Sequence, residues 1–132
     1  MARIALDAMG GDYAPDAAIA GALHAILELA PEHKLQLVWP LDVIRDRVSA
    51  LSTGDLAPAA AMGDRIELIE ATEVIEMSDK PAAALRSKPN SSMVVGLRMQ
   101  TEGRSDAFIS AGNTGAQTVS YTHLTLPTIY SV

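Results

Sequence analysis

An open α/β sheet, parallel-type and with helices on both faces, is the fold this sequence predicts, and two observations carry that prediction. Short apolar runs alternate with segments of helical periodicity from the N-terminus to residue 110. Such alternation is the pattern of parallel strands joined by crossover helices. Two of the apolar runs also end in glycine-rich turns, Asp7-Ala8-Met9-Gly10-Gly11-Asp12 and Ser110-Ala111-Gly112-Asn113-Thr114-Gly115. Open parallel sheets place their ligands at turns of this kind, beyond the carboxyl ends of the strands.

Each element has its own local reason. Arg3–Asp7 is short and apolar and runs into a glycine pair, as a buried strand does. Pro15 and Asp16 open a helix, proline being favoured at the first helical position and a carboxylate near the positive end. Along it Ile19, Leu23, Ile26 and Leu27 share a face. Residues 34–38 read as a second strand and 42–51 as a second helix, the latter on the spacing of Val43, Arg47 and Leu51. Residues 52–63, rich in Ala, Gly and Pro, read as a loop, and 65–70 as a third strand. Pro81 opens a short helix through Arg86; Ser91 or Ser92 caps a longer one that stops at Gly103. Ala107–Ser110 is the fourth strand.

A chain of 132 residues holds one domain or less. Its net charge of -6 excludes non-specific attraction to nucleic acid or anionic membrane. The absence of cysteine excludes a disulfide framework, a thiolate nucleophile and a Cys-ligated metal. No apolar run is long enough to span a bilayer, and the N-terminus lacks the cleavage pattern of a signal peptide, so a cytoplasmic location is expected. His24, His33 and His123 have no partner at metal-ligand spacing, and no metal site is expected. Glu73, Glu76 and Asp79 cluster after the third strand, where loop solvation and helix N-terminal charge account for them as well as acid–base chemistry does.

The two glycine turns are where the chemistry concentrates. Glycine lets backbone N–H groups approach an anion, and a following helix adds its positive end. Ser110, Asn113 and Thr114 offer further donors. Neither turn has the Gly-Lys-Ser/Thr ending of a nucleotide P-loop, and neither matches the dinucleotide fingerprint. Spacing alone leaves two readings open, an oxyanion site, most naturally for phosphate, and a pair of purely structural strand-to-helix turns.

The strings themselves narrow the choice. Residues 3–12 (RIALDAMGGD) followed by Ala14-Pro15, then 71–77 (ATEVIEM), 79–95 (DKPAAALRSKPNSSMVV) and 110–116 (SAGNTGA) resemble, in order and spacing, the bacterial phosphate acyltransferase family. The resemblance implies an α/β/α sandwich of Rossmann-like type, related to phosphate acetyltransferases and isocitrate-type dehydrogenases. It implies a reaction in which inorganic phosphate attacks a long-chain acyl thioester on acyl carrier protein, giving acyl-phosphate for phospholipid synthesis. Asp7, Gly10, Gly11, Asp12, Ser110, Gly112, Asn113, Thr114 and Gly115 would shape the phosphate and thioester site. Phosphate is itself the nucleophile, so no cofactor is implied, and the residues single out no general base. The implied assembly is a homodimer, with peripheral membrane association of the intact protein also open. Acyl carrier protein is acidic, and Arg86, Lys88, Arg98 and Arg104 form a basic stretch that could meet it; a solvated helix face accounts for the same charges. Trp39-Pro40 departs from the family, which usually has glycine and an acidic residue after the second strand.

The resemblance ends after Ala116 or Gln117. Residues 119–132 (VSYTHLTLPTIYSV) carry no charge and favour strand, where the family continues into a helix of small apolar residues. A transposase mosaic-end sequencing adapter, CTGTCTCTTATACACATCT followed by GACGCTGCCGACG, translates from its third base as Val-Ser-Tyr-Thr-His-Leu-Thr-Leu-Pro-Thr, identical to residues 119–128. Residues 1–118 are therefore expected to be the N-terminal part of one truncated acyltransferase domain, and 119–132 an adapter-derived tail. The chain by itself is expected to be an inactive fragment. The rival reading is a stand-alone phosphate- or anion-binding module without catalysis; the chemistry of a phosphate acetyltransferase fits the Asp-Ala-Met-Gly-Gly-Asp opening less well.

Overall fold

Strands whose two faces are both apolar need cover on both sides, and this chain supplies it by alternating strand and helix. The computed structural model describes residues 1–8, 15–76, 78–111 and 130–131. Strands β1 (Arg3–Asp7), β2 (Lys34–Trp39), β3 (Ile66–Glu70), β4 (Ala107–Ser110) and the two-residue β5 (Tyr130–Ser131) form one sheet in the order β3-β2-β1-β4-β5. Every pairing is parallel. Register is set by Leu6, which lies opposite Leu37 on one side and Ile109 on the other. The predicted strands reappear with ends moved by at most one residue.

Helices α1 (Asp16–Glu28) and α2 (Leu41–Leu51) cover one face. They bury Ile19, Leu23, Ile26 and Ile44 against Leu35 and Leu37 of β2, with Ile4 and Leu6 of β1 packed alongside. Helices α3 (Pro81–Ser87) and α4 (Ser92–Thr101) cover the other. There Ala84, Met93 and Leu97 meet Ala5, Val38 and Phe108. The split follows from crossover handedness: β1 to β2 to β3 steps one way along the sheet, and β3 to β4 steps back, so the connecting helices change face.

Two local expectations are corrected. In α2 the inward stripe is Ile44 with Val48 and Leu51, whereas Val43 is 40% exposed and Arg47 turns out to bind Asp16 of α1 with two bonds of 2.8 and 2.7 Å. An isolated periodicity does not say which of two adjacent apolar residues faces the sheet. The segment read as a loop winds into 3-10 turns over Gly54–Arg65, and its Ala59 is buried with α1 and α2. Arg65 fixes its end by donating to the carbonyls of Ile26, Leu29, Ala30 and His33, which closes the C-terminal end of α1. Ser91 is the cap of α4, its hydroxyl accepting from the Val94 N–H at 3.3 Å. Gly103 follows α4 with φ of 76°, the left-handed conformation that ends a helix at glycine. Among the described residues no helix is long and apolar enough to cross a membrane.

Candidate functional site

Asp7 is the last residue of β1 and Ser110 the last of β4, and the two strands are neighbours although 103 residues separate the pair. Side chains alternate along a strand, so Asp7 shares the face of Ala5, and Ser110 that of Phe108. Both therefore point under α4 at the carboxyl end of the sheet. The Ser110 hydroxyl donates to Asp7 Oδ2 at 2.7 Å. Asp7 is 3% exposed and Ser110 fully buried. A carboxylate is not retained in such a place without partners, and the bond to Ser110 supplies one of them.

The position of this pair within the sheet matters as much as its chemistry. The order β3-β2-β1-β4 reverses at β1: the chain steps from β1 to β2 and β3 on one side, then crosses back to β4 on the other. A reversal of strand order is where open α/β sheets bind ligands, beyond the carboxyl ends of the strands. The turns leaving β1 and β4 are the two glycine-rich strings. Gly10, Gly11 and Asp12, and likewise Gly112, Asn113, Thr114 and Gly115, lie outside the described residues, so Asp7 and Ser110 are the two site residues whose geometry is defined.

A second set of contacts, which had no role in the sequence reading, ties the start of α4 to this end of the sheet. Glu73 accepts the Asn90 N–H at 3.0 Å through its side chain and the Ser92 N–H at 3.1 Å through its carbonyl. The Asn90 carbonyl in turn accepts from Thr72 and Glu73. Lys88 donates to the Val74 carbonyl at 2.8 Å and to Asp79 at 2.7 Å, and Asp79 also accepts the Glu76 N–H. The Lys88 hydrogen bond, followed by that from Glu76, holds the Asp79 carboxyl below its ordinary value. Glu73, Glu76 and Asp79 are thus bound into the connection between β3 and α4, and no cluster of metal-ligating side chains occurs among the described residues. Their presence in the matched strings was the available signal, but strings carry no contacts.

The four basic residues are not brought together. Arg86 is exposed at the end of α3, and Lys88 is paired with Asp79. Arg98 is exposed on α4, and Arg104 pairs with Glu102 beyond the end of that helix, beside the starts of the strands and at the far end of the sheet from Ser110. At the departure noted after β2, Pro40 leads directly into α2, whose first N–H, from Leu41, is accepted by Glu70 at 3.1 Å. The Trp39 indole N–H beside it is buried with no hydrogen-bond partner among the described residues.

Comparison with known proteins gives the family. A family model described as fatty acid synthesis protein matches residues 2–131. A phosphate acyltransferase of Koribacter versatilis (strain Ellin345) is 48% identical over 113 residues, 86% of this chain and 29% of the relative. One from Heliobacterium modesticaldum (strain ATCC 51547 / Ice1) is 44% identical over 115 residues, covering 87% of this chain and 32% of the relative. One from Pseudomonas putida (strain GB-1) is 41% identical over 113 residues, with 86% and 31% covered. The chain spans less than a third of the length of these relatives. With the model matching all but the first and last residues, the chain belongs to the fatty acid synthesis protein family.

Proposed function

We propose that the full-length protein containing this region transfers a long-chain acyl group from acyl carrier protein to inorganic phosphate. The observation that carries the reading is the Asp7–Ser110 pair at the strand-order reversal, at the root of both glycine turns. The names of the relatives, phosphate acyltransferase, support the reaction class. A phosphate oxygen attacks the thioester carbonyl carbon, the tetrahedral oxyanion collapses, the C–S bond breaks, and the carrier thiolate leaves and takes up a proton. Acyl-phosphate and free carrier protein are the products.

The role of this region is to hold and orient. Gly10, Gly11 and Asp12 with Gly112, Asn113, Thr114 and Gly115 present backbone N–H groups and small donors to phosphate and to the developing oxyanion. Asp7 fixes Ser110 and with it the start of the second turn. A carboxylate so close to a phosphate would repel it if aimed at it, so Asp7 acts through Ser110. Carrier protein meets the exposed Arg86 at the end of α3. The active form is a cytoplasmic homodimer without a cofactor, with peripheral membrane contact of the intact protein. Residues 119–132 are adapter-derived, a reading that rests on the identity of residues 119–128 with the translated adapter. Resequencing the source DNA across the Thr118 codon tests it, and a genomic reading frame encoding 119–132 and a stop would overturn it.

The enzymatic test is acyl-phosphate formation from acyl carrier protein by the full-length protein. Asp7→Asn and Ser110→Ala should each slow it about tenfold or more while the far-ultraviolet circular dichroism is unchanged. Undiminished turnover in both variants would remove the site from this pair. Phosphate binding without any turnover of the parent would favour an anion-binding module instead.

A further inference from the structure

Helix α4 begins with more hydrogen-bond donors than its surroundings accept. The Ser92 N–H donates to the Glu73 carbonyl at 3.1 Å, and the Val94 N–H to the Ser91 hydroxyl at 3.3 Å. The Met93 N–H between them meets no acceptor among the described residues, and the Ser92 hydroxyl has no hydrogen-bond partner among them either. Ser92 and Met93 are each 1% exposed. Polar groups buried so deeply are seldom left unpaired, because the water they give up has to be replaced.

The seating of α4 on the sheet decides where these donors lie. Gly96 sits against the Phe108 ring so closely that a Cβ there would overlap it. Ser92 is one turn earlier on the same helix face, about 6 Å toward the start of α4. Ser110 is two residues beyond Phe108 on the same strand face, about 6.6 Å toward the carboxyl end of the sheet. Because α4 leads from the end of β3 back to the start of β4, it runs against the strands, and its start lies at that carboxyl end. The two displacements match, so Ser92 falls over Ser110 and the Asp7 carboxylate bonded to it. The first N–H groups of a helix point out along its axis, which aims that of Met93 at the same end of the sheet. We propose that the Ser92 hydroxyl and the Met93 N–H are an oxyanion-binding pair of the acyl-transfer site, an assignment that rests on the reaction proposed above. Their ligand is an oxygen that carries or gains negative charge, either on phosphate or on the thioester carbonyl as it is attacked. Two neighbouring donors at the positive end of a helix suit both.

The test is Ser92→Ala in the full-length protein, with acyl-phosphate formation measured while phosphate and acyl carrier protein are varied separately. A hydroxyl without a protein partner can be removed at no cost to the fold, so the urea midpoint should not fall. If the pair holds phosphate, KM for phosphate should rise about tenfold or more at constant kcat. If it holds the thioester oxygen, kcat should fall about tenfold or more with both KM values unchanged. Either change, or the two together, at an unchanged midpoint supports the assignment. Unaltered kinetics would overturn it, as would a change confined to KM for the carrier protein. A loss of turnover matched by a lower urea midpoint would make Ser92 structural and overturn it as well. Should the parent show no turnover, the reaction itself fails, and titration with inorganic phosphate decides the pair separately. Binding weakened about tenfold in Ser92→Ala would keep the oxyanion pair, and equal binding would end it.

Discussion

Gly96→Ala places one methyl group where the structure leaves none to spare. An ideal Cβ at residue 96 would lie 2.1 Å from Phe108 Cε1, 2.4 Å from Cδ1 and 3.1 Å from Cζ. Ordinary contact begins near 3.4 Å, so helix α4 or the ring must move by more than an ångström. Phe108 is fully buried in the cluster with Ala5, Met93 and Leu97, so moving the ring disturbs their packing. Overpacking of this kind costs about 1–3 kcal/mol, and the severity of the overlap puts this case at the upper end. Alanine returns about 1 kcal/mol through its better helix propensity, leaving a net loss of about 2 kcal/mol. The measurement is the urea midpoint of the full-length protein with and without the substitution. Phe108→Leu in the Gly96→Ala background should cost about 1 kcal/mol less than in the parent, because the two changes share one contact. Unchanged or raised stability of Gly96→Ala, or strict additivity of the pair, would refute the packing argument. The same strain bears on the site, since Phe108 lies two residues before Ser110 on one face of β4; acyl-phosphate formation should fall along with stability.

Two other outcomes follow from named contacts. Arg65→Ala should destabilise the protein by about 2 kcal/mol, and Arg65→Lys should recover less than half of that. The guanidinium serves four carbonyls at the end of α1 at once, a fork that an ammonium cannot reproduce; full recovery by lysine in urea denaturation would show the contact to be simple charge. Asp79, held below its ordinary value of 3.8 by Lys88 and Glu76, binds a proton less readily folded than unfolded. Its contribution is therefore present above the unfolded value and lost as pH falls through the folded one. The gap between the urea midpoints of the parent and Asp79→Asn should close as pH is lowered from about 6 to about 3, and a widening gap would contradict the assignment.

The sequence by itself determined the elements and the fold class. The apolar run Arg3–Asp7, Pro15-Asp16 before Ile19, the Ser91 cap and the Gly103 stop are local chemistry, and each element forms where that chemistry places it. Alternation of strand and helix then constrains the connections to a parallel sheet with helices on two faces. Strand order was not legible, because the choice of β1's second neighbour depends on which apolar faces meet after the whole chain collapses. For the same reason periodicity did not decide between Val43 and Ile44 in α2, and composition did not show that Gly54–Arg65 buries Ala59. The site shows the division most clearly. Asp7 and Ser110 could be named from their turns, but only the tertiary structure put β4 beside β1 and closed a 2.7 Å hydrogen bond across 103 residues of chain. A pairing of that span has no local signature, since its energy comes from burial and register shared by the entire sheet.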